Sequence, residues 1–247
     1  MRNLIVVFAI VLLTTVPARA QQSYCADCHF AHPESPGQRH LSEWDRSAHG
    51  RRLVGCESCH GGNPRTTESL PAHMGILGPS DAAGPTNPVN IPRTCGRCHT
   101  GPFVQFQKSR HYELVRGGNP DAPGCATCHG EVAADLLSPR GLEQQCVRCH
   151  GQGKRQQRLD YPPLGRSMME SVGEVRDALK TARRLVDRVQ DRGTKQRFQE
   201  AYRQAEVPLV QAVENAHAFV YDQMQERIGV AHERASALLD ALANPKR

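Results

Sequence analysis

The chain has 247 residues, with 10 Cys, 12 His, 17 Pro and 21 Gly, yet only 5% of it is aromatic. A chain of this length normally fills its core with large side chains, so the thin aromatic share points to an interior filled partly by something else, an apolar cofactor first of all. Mean hydropathy is negative and the long apolar run is N-terminal, which excludes a polytopic membrane protein, and the modest charge with abundant cysteine argues against disorder.

Residues 1–20 read as a secretory signal peptide. Arg2 supplies the positive start, Leu4 to Leu13 is unbroken apolar sequence, and Ala18-Arg19-Ala20 is a small-x-small cleavage site. The run falls short of the roughly 20 residues that cross a bilayer, and Gln21 rather than cysteine follows the cleavage site, so cleavage after Ala20 into the periplasm is expected.

An even cysteine count in an exported chain usually signals disulfides, but the spacing here says otherwise. All ten cysteines fall in five pairs, each followed at once by histidine: Cys25-Ala-Asp-Cys28-His29, Cys56-Glu-Ser-Cys59-His60, Cys95-Gly-Arg-Cys98-His99, Cys125-Ala-Thr-Cys128-His129 and Cys146-Val-Arg-Cys149-His150. This is the c-type haem attachment signature: two thiols add across the two vinyl groups of one haem, and the next residue reaches the iron from the same helical turn. A zinc site would set two C-x-x-C units around one metal, and a thioredoxin-like motif would occur once beside a βαβ pattern. Neither accounts for a histidine after every pair. Five covalent haems are therefore expected, with His29, His60, His99, His129 and His150 as proximal ligands. The formal charge of +6 is then misleading, because haem propionates draw the holoprotein toward neutrality or below. Basic residues near the motifs are expected to pair with propionates, and no nucleic-acid patch is evident.

Fourteen of the 17 prolines lie in residues 21–163, where the chain is loop-rich, and all five motifs are there too. That leaves about 25 residues per haem, too few for a separate protein core around each one, so the macrocycles are expected to pack on one another. The expected organisation is a mainly α chain: signal peptide 1–20, pentahaem domain 21–163, and a helical hairpin in 164–247.

A partial repeat runs through the haem region. Trp44-Asp-Arg-Ser47-Ala-His49 precedes Cys56, and Phe106-Gln-Lys-Ser109-Arg-His111 precedes Cys125, giving aromatic-x-x-Ser-x-His twice and suggesting a dihaem module. Seven histidines remain for five sixth positions on iron. His49 and His111 are the leading distal candidates, on the repeat, followed by His73 in Leu70-Pro-Ala-His73-Met74. His40 and His32 are further candidates, Met74 a weaker one, and His232 reads as a solvated residue.

In the tail, Met168, Val172, Val175, Leu179, Ala182, Val186 and Val189 recur at spacings of 4 and 3, a heptad seam. Asp191-Arg-Gly193-Thr ends it, with Gly193 as the expected C-cap. A second helix beginning between Lys195 and Pro208 is expected to carry Val210, Val213, His217, Val220 and Met224 on one stripe, completing a hairpin. His217 on that stripe is either a hydrogen-bonded core histidine or an iron ligand reaching back over the haems.

The five motifs with the repeated aromatic-x-x-Ser-x-His resemble the exported multihaem cytochromes of the group that includes cytochrome c nitrite reductases, hydroxylamine oxidoreductases and their small tetrahaem electron acceptors. The resemblance covers residues 25–150, and the long C-terminal helices of many relatives are similar to the tail. It implies a mainly α fold and redox function. Ammonia-forming nitrite reductases typically bind their catalytic haem through C-x-x-C-K, whereas all five motifs here end in histidine. No local pattern for the tyrosine attached to the catalytic haem of hydroxylamine oxidoreductases is present. Some relatives place a second histidine three residues after the proximal one; His32 fits this after His29, but Val132 stands in that place after His129.

The expected function is thus electron transfer by a periplasmic pentahaem cytochrome with mostly bis-histidine haems. Redox proteins are the expected partners, among them a membrane-bound quinol-side or reductase protein, and the C-terminal helices are a candidate homo-oligomer seam. The rival reading is a reductase of a small nitrogen or sulfur oxyanion with one five-coordinate haem. A third reading makes the haems largely structural in a scaffold organised by the heptad seam.

Overall fold

The computed structural model describes residues 23–132 and 137–244, so the expected signal peptide lies outside the described residues. Proline and glycine punctuate the first part of the chain, and they keep its helices short. In order these are α1 (Tyr24–Ala31), α2 (Gln38–Arg46), α3 (Ala48–Arg51), α4 (Glu57–His60), α5 (Ser69–His73), α6 (Ile91–Gly96), α7 (Thr100–Phe106), α8 (Arg110–Arg116), α9 (Cys125–His129) and α10 (Pro139–His150). Three long helices follow: α11 (Tyr161–Arg188), α12 (Arg192–Ala216) and α13 (Tyr221–Ala243). No strand occurs among the described residues, so the mainly α expectation holds.

The conventional hydrophobic core sits in the tail. Met168, Val172, Val175 and Leu179 of α11 meet Ala205, Leu209 and Ala212 of α12 and Met224, Ile228, Ala231 and Ala235 of α13. The alanines on α12 and α13 let the helix axes approach closely enough for the larger α11 side chains to fill the seam. By contrast, the buried apolar residues of the haem region are few, chiefly Ala26, Leu41, Phe106 and Val115, in line with a region whose interior is not made of side chains alone. No helix among the described residues is long and apolar enough to cross a membrane.

Three features of the tail differ from the sequence reading. The second arm of the expected hairpin is two helices, because the chain breaks at residues 217–220, where Phe219 adopts a left-handed φ of 57°. The 3-4 spacing of Val213, His217, Val220 and Met224 continues through this break, which is why periodicity did not reveal it. Gly193 is not a C-cap. It lies in the first turn of α12, whose cap is Asp191, with the carboxylate accepting the Thr194 N–H at 2.7 Å. Finally, α12 turns Ala205, Pro208, Leu209 and Ala212 into the bundle with Val213 packed against that core, while Val210 is exposed and His217 is half-buried at the helix end. Of the expected stripe, Val213 and Met224 join the core, whereas Val210 and Val220 are exposed.

The bundle is joined to the haem region. Arg166 on α11 reaches Glu143 on α10 at 3.2 Å, and a Cβ at Gly165 would lie 3.6–3.7 Å from Leu142 and the Cys146 sulfur. The compositional break near residue 164 thus falls inside the first turn of α11, against α10. The bundle also meets α7, where Gly101 sits so close to Glu214 of α12 that a Cβ there would clash with its carboxylate.

Candidate haem sites

Each motif spans one helical turn, and in motif three that turn runs past the end of α6, which stops at Gly96. Cysteines at i and i+3 and histidine at i+4 fall on one helical face, so a single turn aims two thiols and an imidazole in one direction. The backbone is closed across that turn: the His60 N–H donates to Cys56 O and the His99 N–H to Cys95 O, both at 2.9 Å. Helix α4 stops immediately after His60 at Gly61, φ 78°, and α9 stops after His129 at Gly130, φ 75°. Only glycine takes this left-handed backbone without strain, and the turn it makes lets the chain leave the motif at once.

No disulfide joins any of the ten cysteines to another, so every motif keeps both of its sulfurs for haem attachment. Consecutive motifs are neighbours: Cys56 feels the charge of Cys25, Cys59 that of Cys95 and Cys98, and Cys128 that of Cys146. Motifs three and four are neighbours as well, since α6, which carries Cys95, packs against α9, which carries Cys125 and Cys128. Burial, followed by the charge of Cys25, pushes Cys56 up to about 11.

The repeated aromatic-x-x-Ser-x-His segment has one structural form in both copies. The Ser47 hydroxyl donates to Trp44 O at 2.6 Å and accepts the Gly50 N–H at 3.1 Å; the Ser109 hydroxyl donates to Phe106 O at 2.7 Å and accepts the Tyr112 N–H at 3.1 Å. Each serine is buried, closes the preceding helix and caps the next, and so fixes the histidine two residues later at the second position of α3 or α8. The repeat is a device for aiming an imidazole.

Every motif histidine faces one further histidine. Ring centroids lie 6.0 Å apart for His29 and His73, 5.7 Å for His60 and His40, 6.0 Å for His99 and His49, 6.0 Å for His129 and His217, and 6.1 Å for His150 and His111. The separations agree closely, whereas the interplanar angles range from 13° for His129 and His217 to 71° for His40 and His60. Two imidazoles on opposite sides of one metal, each with a metal–nitrogen bond of about 2 Å and about 1 Å more to the ring centre, would have centroids about 6 Å apart. Rotation of either ring about that axis leaves the separation unchanged. No cluster of three or more His, Cys, Asp or Glu side chains suited to a bare metal ion occurs among the described residues. A pair of imidazoles is the complement that haem requires, since the porphyrin brings four nitrogens of its own. The donor set therefore fits.

Ring-nitrogen partners agree with this use. Nδ1 of His73 lies 2.7 Å from Ser69 O, that of His150 2.7 Å from Gln156 O, and that of His217 2.9 Å from Val213 O. A backbone carbonyl can only accept a hydrogen bond, so Nδ1 carries the hydrogen and donates it, which leaves the Nε2 lone pair of each ring free to bind a metal. Burial presses the pKa of His60, His111 and His129 below the ordinary histidine value, with neighbouring histidines (His40, His150, and His217 with His99, respectively) acting in the same direction. A lowered pKa keeps the imidazole neutral, the form that binds iron.

Two histidines stand outside these pairs. His32, a distal candidate from the sequence, meets Glu34 at 3.1 Å on the surface and faces no motif histidine among the described residues. His232 is exposed on α13, in a cleft of about 290 Å³ with Met168 and Tyr221. Met74 is 70% exposed, directly beside His73, whose ring is the one turned to His29. Phe219 is a residue that the sequence did not single out; its ring stands edge-on to His111 at 4.4 Å. Its only sequence signal was a place on the α12–α13 corner, and that corner was itself hidden by the continuing stripe.

Residues 11–61 match the family described as cytochrome c554 and c-prime, and residues 85–151 match cytochrome c7 and related cytochrome c. Together the two regions contain all five motifs. These matches support a multihaem c-type cytochrome. Among curated proteins, the chain is 29% identical over 127 residues to the C-type polyheme cytochrome OmcC of Geobacter sulfurreducens, an alignment covering 51% of this chain and 14% of that protein. It is 30% identical over 134 residues to the C-type polyheme cytochrome OmcB of the same species, covering 50% of this chain and 16% of the relative. The chain thus matches only about one-seventh of the length of these larger cytochromes. No solved structure matches it.

Proposed function

We propose that the chain is a periplasmic pentahaem cytochrome that passes electrons between redox partner proteins through bis-histidine haems. The observation that carries this reading is the set of five facing histidine pairs, one for each attachment motif. Haem c, when bound, supplies a one-electron iron couple. The cysteine pairs would hold it covalently, and the two imidazoles of each pair would both serve as ligands to its iron, which would favour electron transfer over binding of an oxyanion. His29 and His73 serve motif one, His60 and His40 motif two, His99 and His49 motif three, His129 and His217 motif four, and His150 and His111 motif five. The adjacency of consecutive motifs supports a path that follows chain order, from motif one to motif five.

The test is spectroscopic. Holoprotein matured with its haems should show low-spin iron throughout, and the reduced native protein should not bind carbon monoxide. A high-spin signal of one haem's intensity in the native protein, together with carbon monoxide binding, would replace the carrier reading with that of a reductase.

A further inference from the structure

The α12–α13 corner touches two of the proposed sites. His217, at the end of α12, faces His129 of motif four, and two residues later Phe219 packs its ring on His111, the partner of His150 in motif five. His111 differs from the other axial candidates in one respect. Its Nδ1 is buried and has no hydrogen-bond partner, the only such side-chain nitrogen or oxygen among the described residues. In His73, His150 and His217 the corresponding nitrogen meets a backbone carbonyl.

The difference has a chemical consequence. An imidazole whose Nδ1–H donates to a carbonyl or to water is a stronger electron donor to iron, which favours the ferric state and lowers the reduction potential. An imidazole denied any acceptor is a weaker donor and has the opposite effect, and apolar burial of the site adds to it. A buried nitrogen left without a partner destabilises the fold that keeps it, because its desolvation is uncompensated. Phe219, 53% exposed, takes a φ of 57°, a region that large side chains seldom adopt.

From this we infer that Phe219 is a positioning residue for His111: it keeps the distal imidazole of motif five dry and without an acceptor, and thereby raises the potential of that haem. The inference rests on the bis-histidine reading of the pair His150 and His111. With motif five at one end of the chain-order path, the corner makes that end the more easily reduced one.

Redox titration of the five-haem protein, followed by electron paramagnetic resonance, tests the idea. His111→Ala first identifies the motif-five signal, as the one low-spin species it converts to high-spin. Phe219→Gly relieves the left-handed backbone and admits water, and Phe219→Asn tolerates the same φ while bringing an amide oxygen. Both should lower the midpoint of that one haem, by about tenfold in the one-electron equilibrium or about 59 mV, and leave the other four unmoved. Phe219→Leu keeps an apolar cover and should leave it in place. If His111→Ala opens the haem but neither Phe219→Gly nor Phe219→Asn moves its potential, the positioning role is refuted and the ligand reading stands. If His111→Ala leaves all five haems low-spin, the ligand reading fails and the inference falls with it.

Discussion

His217→Ala isolates the contribution of the tail to the haem region. The His217 ring lies 6.0 Å from His129 at an interplanar angle of 13°, and no second histidine ring among the described residues is paired with His129. Removing it should therefore open one iron of five, converting one-fifth of the low-spin absorbance to high-spin and creating one carbon monoxide site in the reduced protein. Covalent haem content should stay at five, because attachment is through Cys125 and Cys128, which the substitution leaves in place. The fold should survive. The protein-only cost is one hydrogen bond, from Nδ1 to Val213 O, worth about 0.5–1.5 kcal/mol net, and His217 stands at the helix end rather than in the bundle core. Intact mass, optical spectra and far-ultraviolet circular dichroism read these three quantities separately. His32→Ala and His232→Ala serve as controls and should leave every haem low-spin. A His217→Ala protein with all haems low-spin would make His217 a structural histidine and sever the proposed link between bundle and haems.

Other outcomes follow from the same geometry. Changing Cys95 and Cys98 to serine together should reduce the covalent count from five haems to four by intact mass; loss of more than one would mean that the motif-three group is also needed to hold its neighbours. Folded-state burial lowers the pKa of His60, His111 and His129 from 6.5, so the unfolded chain binds more protons in mild acid. Stability should therefore be fully present above about pH 6.5 and decline as the pH falls below it, and a guanidinium midpoint unchanged between about pH 7.5 and pH 5.5 would contradict this sign. Leu179→Ala, at a position 3% exposed in the bundle core, should cost about 2–5 kcal/mol in denaturant unfolding followed by helicity, with five haems still attached.

What could be read from the sequence was local. Cys-x-x-Cys-His specifies its own geometry because the ligands are one helical turn apart, and it does so five times without help from the rest of the chain. The serine in aromatic-x-x-Ser-x-His acts within three residues on either side, so two of the five partner histidines, His49 and His111, stand out from the sequence alone. The heptad of α11 is equally legible, since Met168 through Val186 are all buried along one face of the helix.

The pairing of distant histidines was decided by the tertiary structure. His40 turns to the motif that follows it, His49 passes over that motif to face His99, His73 reaches back to His29, and His217 returns from the far end of the bundle to His129. No periodicity encodes these partners, because each depends on how whole helices pack and where the chain turns between them. The same holds at the α12–α13 corner. An apolar stripe records only that residues share a helical phase, and it runs unbroken through residues 217–220. Only the packing of α13 back onto α11 and α12 requires the chain to stop there, turn at Phe219, and set His217 against His129 and Phe219 against His111.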